Sequence, residues 1–306
     1  MLLGIVDLGT LSVRFDVFDT NSALPVPVLR YRKMLRLGER LFGEGKIDPE
    51  AEERTVTALR EIAGIAAQHT LSRIVAVATS ALREANNGAA VLERIRAETG
   101  IAVQTITGEE EARLTALGIL TFEQLAHEPL VLLDIGGGST EVSIHRSGAP
   151  LLSVSFATGA GRLYDSYFNR CGDDAAAKHA AAAAARAATR LLLAELDEVR
   201  PDNYQAVGSS GTVRALGRML TEGGDEHRMR VTALDIGSVI DQLITERRHE
   251  LLARQGVEES RLDYLLPGAI ILDETLRALH LADILVTVYS LRHGVLAETL
   301  ETAKSL

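Results

Sequence analysis

Tryptophan is absent from the 306-residue chain, and the aromatic residues stop at 6 Tyr and 6 Phe. That is too few to lay a base-stacking strip for single-stranded nucleic acid. A single cysteine, Cys171, excludes an internal disulfide. An isolated thiol fits a reducing compartment, so a cytoplasmic protein is expected. Cys171 also has no histidine beside it to activate it as a nucleophile. Cationic side chains are in deficit, 32 Lys and Arg against 42 Asp and Glu, for a formal net charge of −10. This disfavours wholesale capture of nucleic acid or of an anionic membrane, and any anionic ligand has to be gripped locally. Only 7 prolines are present and no Pro/Ser-rich linker divides the chain. No apolar run approaches the roughly 18–20 residues of a spanning helix. Met1–Thr10 meets Asp7 with no basic stretch ahead of it, which is not the pattern of an export signal.

What is present is the composition of a packed protein, 46% hydrophobic and 24% charged, at a length with room for about two domains. Val13, Phe15 and Val17 alternate with Arg14 and Asp16, a strand pattern. Residues 48–70 change to helical spacing, with Asp48 as cap, Pro49 in the first turn and an apolar stripe of Val56, Leu59, Ile62 and Ala63. Strand at 74–78, helix at 86–98, strand at 101–106 and helix at 109–120 follow. The pattern breaks near 118–129 and a new strand opens at Leu130, so the domains are expected at 1–120 and 121–306, with the last helix, 291–306, available to pack back on the first. The alanine-rich stretch 175–196 is read as a helix in which Leu191, Leu192 and Leu196 make the apolar contacts. Helices are also expected at 234–253 and 261–281, and a short strand at 283–288.

The chemistry is carried by an internal duplication. Ile5-Val6-Asp7-Leu8-Gly9-Thr10-Leu11-Ser12 aligns without gaps on Leu132-Leu133-Asp134-Ile135-Gly136-Gly137-Gly138-Ser139, 127 residues further on, and both copies continue into an alternating strand. Each reads as a buried strand ending in Asp, a glycine-containing turn and a hydroxyl residue. Glycines let backbone N–H groups approach a phosphate, hydroxyls add donors, and an Asp holds Mg²⁺ or its waters. The phosphate-binding candidates are therefore Gly9, Thr10, Ser12, Gly136, Gly137, Gly138, Ser139 and Thr140. Backbone donors attract phosphate without lysines, which reconciles an acidic chain with an anionic substrate. A third Asp-x-Gly, at Asp235, is followed by helical spacing and is read as a helix cap outside the site. His249-Glu250 lacks the second histidine of a zinc helix, since Ala253 stands there.

Two such hairpins, one per β-α half, resemble the actin, sugar-kinase and heat-shock ATPase superfamily. Three runs sharpen the likeness: Ala78-Thr79-Ser80-Ala81-Leu82-Arg83-Glu84, Thr107-Gly108-Glu109-Glu110-Glu111-Ala112-Arg113 and Asp134-Ile135-Gly136-Gly137-Gly138-Ser139-Thr140-Glu141. In that order, and with Gly208-Ser209-Ser210-Gly211-Thr212 and Ser290-Leu291-Arg292-His293-Gly294 beyond them, the chain is similar to the exopolyphosphatase and guanosine pentaphosphate phosphohydrolase (Ppx/GppA) family in its short two-domain form. The resemblance implies an α/β fold of two ribonuclease-H-like (actin-like ATPase) domains with an interdomain active-site cleft. It implies an exopolyphosphatase that removes terminal phosphate from inorganic polyphosphate by metal-assisted water attack. Guanosine pentaphosphate 5′-phosphohydrolysis and a non-catalytic polyphosphate or alarmone sensor are the alternatives, and a kinase of the wider superfamily is a further class.

By the same resemblance Glu110 activates the attacking water. On a helix Glu109 and Glu111 point about 100° to either side of it, so at most one of the three faces the substrate. Arg83 grips the terminal phosphate, its competing use being a salt bridge to Glu84 or a neighbouring carboxylate. Asp7, Asp134 and Glu141 form a carboxylate set for Mg²⁺ or another divalent ion. Gly208, Ser209, Ser210, Gly211 and Thr212 are expected to make a further anion nest before a helix starting near Val213. Arg113 is expected to be structural, and Arg292 has no assigned role. Leu11 stands where the family usually has Asn, which removes one side-chain amide. The assembly state stays open between monomer and homodimer.

Overall fold

The computed structural model describes residues 1–21, 26–125, 129–198 and 203–304. Its strands are β1 (Leu2–Leu8), β2 (Ser12–Asp19), β3 (Pro27–Met34), β4 (Leu71–Ala78), β5 (Val103–Thr105), β6 (Leu130–Ile135), β7 (Thr140–Arg146), β8 (Ala149–Phe156), β9 (Gln205–Ser209), β10 (Arg230–Thr232) and β11 (Asp283–Val286). Its helices are α1 (Leu41–Glu44), α2 (Pro49–Ala67), α3 (Ser80–Glu84), α4 (Gly88–Thr99), α5 (Gly108–Phe122), α6 (Ala160–Leu163), α7 (Ala175–Leu192), α8 (Ser210–Leu220), α9 (Ala233–Thr245), α10 (Arg248–Ala253), α11 (Glu259–Ala278) and α12 (Leu291–Lys304). The chain divides into two compact units, Met1–Phe122 with Leu291–Leu306, and Glu123–Ser290. Of the break expected near 118–129, residues 126–128 lie outside the described residues.

In unit 1 the sheet order is β3-β2-β1-β4-β5, with β2 antiparallel to β1 and β3, and β4 parallel to β1 and β5. In unit 2 the order is β10-β11-β9-β6-β7-β8. Counted from β6, the second sheet repeats the first: a three-strand antiparallel meander, then parallel strands added beyond its first member, with β10 appended at the edge. Both units are thus ribonuclease-H-like, and the sequence duplication falls at the same place in each, the β1–β2 and β6–β7 turns.

The central strands β1 and β2 of unit 1 are covered on both faces, as apolar residues on alternate sides require. Val6, Leu8, Val13, Phe15 and Val17 pack with α2 and α4 residues such as Leu59, Ile62, Val91 and Ile95. On the other face Leu3, Ile5 and Phe18 pack with Leu114 of α5 and Leu291, Val295 and Leu296 of α12. Asp7, Arg14 and Asp16 lie on that second face, since Asp7 pairs with Arg14 and Ile5 with Asp16 across the ladder. α12 approaches α5 so closely that a Cβ at Gly294 would stand 1.7 Å from the Leu114 carbonyl oxygen, so only glycine fits there.

Helix starts follow local chemistry. Asp48 caps α2 by accepting from the Glu50 amide at 2.8 Å, with Pro49 as its first residue. α9 differs from its expectation: Thr232 is the cap and Asp235 closes the capping box from inside the first turn. The alanine-rich helix also departs. α7 buries Lys178, Ala182, Ala185 and Thr189, while Leu191 is 80% exposed and Leu192 43%, and Leu196 packs from beyond the helix end. Lys178 and three small side chains make its contact face, and the leucines at its end, Leu191 and Leu192, point away from it.

Candidate active site

Each hairpin turn is shaped by donors arriving from the segment after its third strand. In unit 2 the amide of Ala160 donates to the Gly136 carbonyl at 2.9 Å, those of Gly161 and Arg162 to the Gly137 carbonyl at 2.8 and 3.0 Å, and Arg162 Nε to the Gly138 carbonyl at 2.9 Å. A trans peptide points its C=O and the next N–H in opposite directions. Three successive carbonyls tied to α6 therefore turn the N–H groups of Gly137, Gly138 and Ser139 the other way, into a nest of donors suited to an oxyanion. The contact behind the turn leaves no room for a side chain, since a Cβ at Gly159 would sit 2.6 Å from Gly137 backbone atoms.

Unit 1 repeats the device with different letters. The Gly38 amide donates to the Thr10 carbonyl at 3.1 Å, and the Leu35 and Arg36 amides to the Leu11 carbonyl at 2.8 and 3.0 Å. The N–H groups of Leu11 and Ser12 are thereby turned outward, matching Gly138 and Ser139. Gly38 presses on Thr10, a Cβ there lying 2.4 Å from Thr10 Cγ2, as Gly159 presses on Gly137. Leu11 serves the nest through its backbone, so its side chain is not needed for that contact. Each turn is also closed by a short bond, Gly9 N–H to Ser12 carbonyl at 3.0 Å and Gly136 N–H to Ser139 carbonyl at 2.9 Å. The Thr10 hydroxyl is buried with no hydrogen-bond partner among the described residues, a cost of about 1–3 kcal/mol unless a water or ligand completes it. Thr140, by contrast, donates its hydroxyl to the Thr158 carbonyl at 2.6 Å, so that proton is committed to the scaffold.

The acids at the strand ends are held differently in the two units. Asp134 and Glu141 are direct cross-strand partners on one face, and Asp134 is also level with Ser209 of β9. Ser209 Oγ donates to Asp134 Oδ2 at 2.8 Å and Ser155 Oγ to Glu141 Oε1 at 2.8 Å. Two neighbouring carboxylates oriented by hydroxyls suit a hard cation such as Mg²⁺, which takes one or two carboxylates and fills its octahedron with waters and phosphate oxygens. Asp7 has instead an arginine. Arg292 of α12, itself buried, places Nη1 3.2 Å from Asp7 Oδ2 and Nε 2.8 Å from Asp16 Oδ2. Burial opposes the charge on Arg292, yet the Asp16 and Asp7 carboxylates raise its pKa above the ordinary arginine value. Pairing with a guanidinium makes Asp7 a poorer cation ligand than it would be alone. Among the described residues no group of three or more His, Cys, Asp or Glu side chains forms a metal cluster.

The three successive glutamates at the start of α5 take three directions. Glu109 is exposed, and hydrogen bonds from its own backbone amide and from Thr107 lower its pKa. Glu110 receives both prongs of Arg113, Nε to Oε2 at 2.8 Å and Nη2 to Oε1 at 2.7 Å, and this pairing lowers its pKa against the smaller opposing effect of burial. Arg113 also reaches Glu298 of α12. Glu111 pairs with Arg83, whose Nη1 is 3.2 Å from Oε2 and 2.9 Å from the Ile106 carbonyl. Arg83 thus pairs with a neighbouring carboxylate, and that carboxylate is Glu111; Glu84 is bonded by Ser80 Oγ at 2.6 Å.

The Gly208–Thr212 segment is a strand-to-helix corner, and α8 begins at Ser210, three residues before its expected start. Ser210 has φ 81°, a left-handed conformation that is strained for a residue with a Cβ. Its hydroxyl accepts from the Thr212 and Val213 amides, both at 3.2 Å, so those two donors are already satisfied within the corner. Gly208 is demanded by packing, since a Cβ there would meet Ile284 Cδ1 at 2.6 Å. Thr212 packs under Gly268 of α11, and Gly211 lies in the first turn of α8. Arg292 and the segments behind the hairpins are the parts sequence reasoning left without a role. A glycine three or four residues after each meander, Gly159 and Gly38, is the signal that points to the latter.

Comparison with known proteins follows the same lines. The profile described as the Ppx/GppA phosphatase family matches residues 17–303. Exopolyphosphatase 1 of Mycobacterium tuberculosis is 30% identical over 310 residues, covering 99% of this chain and 89% of that protein. Among solved structures, an exopolyphosphatase from Cytophaga hutchinsonii superposes with a TM-score of 0.87 at 26% identity, covering 99% of this chain and 98% of that one. The Aquifex aeolicus member of the Ppx/GppA family gives 0.79 at 25% identity, with 99% and 98% covered.

Proposed function

Because the chain belongs to the Ppx/GppA phosphatase family, we propose that it is an exopolyphosphatase, a phosphoanhydride hydrolase that releases terminal orthophosphate from inorganic polyphosphate. The observation that carries this reading is the amide nest of Gly137, Gly138 and Ser139, repeated by Leu11 and Ser12. Fixed backbone donors of this kind bind phosphoryl oxygens and stabilise the charge that spreads over them in the transition state. That the M. tuberculosis and C. hutchinsonii relatives are exopolyphosphatases favours polyphosphate over guanosine pentaphosphate as the substrate.

Glu110 orients the attacking water. Arg113 keeps the carboxylate ionised, which makes it a weak base but a firm hydrogen-bond acceptor. That suits a loose phosphoryl transfer, in which the water loses its proton late. Ser12 and Ser139 add hydroxyl donors beside the nests, and the unspent Thr10 hydroxyl is a further one. Asp134 and Glu141 are the residues to hold Mg²⁺, and Ser209 and Ser155 fix their orientation. When bound, the ion neutralises charge on phosphoryl oxygens. Arg83 contacts phosphate only if it leaves Glu111, and Asp7 orients the first hairpin from its place beside Arg292.

The test is orthophosphate release measured side by side on long-chain polyphosphate, guanosine pentaphosphate and ATP, with and without Mg²⁺. Mg²⁺-dependent release from polyphosphate, with at least tenfold lower kcat/KM on the other two, is expected. Preference for guanosine pentaphosphate would replace the substrate while keeping the chemistry. No turnover on any of them, with tight polyphosphate binding, would make the protein a sensor.

A further inference from the structure

α12 enters unit 1 only after the chain has built all of unit 2, and it pairs directly with one of the acids assigned to unit 1 above, Asp7, and reaches the other, Glu110, through Arg113. Near its start, buried Arg292 bridges Asp7 and Asp16. Less than two turns later, Glu298 takes the outer side of the Arg113 guanidinium that grips Glu110. The helix is also seated by apolar contacts. Leu291, Val295 and Leu296 supply an apolar seam, and Gly294 lets that seam close on the Leu114 carbonyl. The seam sets where the helix lies, and the charged side chains make use of that placement.

Glu110 needs such help. As the third residue after the cap Thr107, its carboxylate would by local preference fold back onto the Thr107 amide in a capping box. Half of that box exists, because the Thr107 hydroxyl accepts from the Glu110 amide at 3.2 Å, but the carboxylate itself is drawn to Arg113. An exposed pair three residues apart on one helix is weak alone. Tying the guanidinium to a carboxylate on a second, firmly packed helix gives it a fixed anchor.

We propose that α12 is the positioning element for the acids of unit 1: Glu298 fixes Glu110 through Arg113, and Arg292 fixes Asp7. This rests on the reading of Glu110 as the group that orients water. Glu298 and Arg113 touch no substrate; they act by limiting the rotamers of a side chain that does.

The experiment is a double-mutant cycle on polyphosphate hydrolysis by the full chain, with kcat and KM resolved and thermal unfolding midpoints measured for every variant. Glu298→Gln is expected to lower kcat about threefold and Arg113→Ala about tenfold, KM and midpoint staying near wild type. In a Glu110→Gln background, with incubations long enough to read the residual rate, neither change lowers kcat further. Arg292→Lys, which keeps the buried charge but loses the fork, lowers kcat in the wild type and not in an Asp7→Asn background. Equal losses in both backgrounds, or no loss with Glu110 intact, overturn the proposal. Full turnover by Glu110→Gln alone is a different result: it removes the assignment of Glu110 and this inference with it.

Discussion

At the scale of single residues, the acids of the two hairpin regions and of α5 are each oriented by a specific donor. Asp134 and Glu141 accept from neutral hydroxyls, whereas Asp7 and Glu110 face guanidinium groups. The Arg113 guanidinium keeps the Glu110 carboxylate ionised at the cost of basicity. Replacing Glu110 by Gln is expected to lower kcat by about 10²–10⁴ with little change in affinity, the range for loss of a group that handles the attacking water's proton. The pH dependence has a definite sign. A carboxyl whose pKa is lowered is charged throughout the neutral range, and the activity it supports is lost only as pH falls through that lowered value. The acid limb of the kcat/KM profile is therefore expected below the usual glutamate range, and Arg113→Ala is expected to move it upward toward that range. A limb that stays in place in Arg113→Ala would show that Glu110 is not the group titrating.

At the scale of elements, the hairpin nests depend on what packs behind them. The turn of unit 2 is held because α6 starts close enough for its amides to reach three carbonyls, and that approach needs glycine at 159. Gly159→Ala would press a methyl on the Gly137 backbone, which cannot swing aside as a side chain can. A loss of about 1–3 kcal/mol in urea unfolding is expected, together with weakened phosphate binding. Gly64 in α2 is the opposite case, exposed and with open space where a Cβ would go, so Gly64→Ala is expected to stabilise by about 0.5–1 kcal/mol. Legibility follows the same physics. α2 was readable because cap, first-turn proline and apolar period agree. The five-residue α3 shows no period and falls in what reads as a loop. In α7 Leu191 and Leu192 marked the wrong face, because the buried face is made by Lys178, Ala182, Ala185 and Thr189.

At the scale of the whole molecule, the duplication was legible because it is local: a strand, an Asp, a glycine turn and a strand repeat as letters. What ties those letters into a site is not local. The donors behind each turn come from 20 or more residues away, and Arg292 meets Asp16 and Asp7 across separations of 276 and 285 residues. No spacing rule reaches so far, so that arginine had no readable role. The same long connection makes unit 1 discontinuous, dependent on a helix made last. Removing residues 291–306 would uncover the seam of Leu291, Val295 and Leu296, about 1.5–3 kcal/mol for each buried side chain, which as an upper estimate sums to roughly 5–9 kcal/mol. It would also leave Asp7 and Asp16 without their guanidinium. Losses of that size match the whole stability of an ordinary domain, about 5–15 kcal/mol. Unit 2 keeps its own core of β6, β7, α8, α9 and α11 residues, none of them drawn from α12. Hydrogen exchange on a chain ending at Ser290 is therefore expected to show β1, β2 and β4 unprotected and β6, β7 and β9 still protected. Protection retained in β1 and β2 would show that unit 1 stands without its last helix, and that the pairing of α12 with the unit 1 acids is not built on a structural necessity.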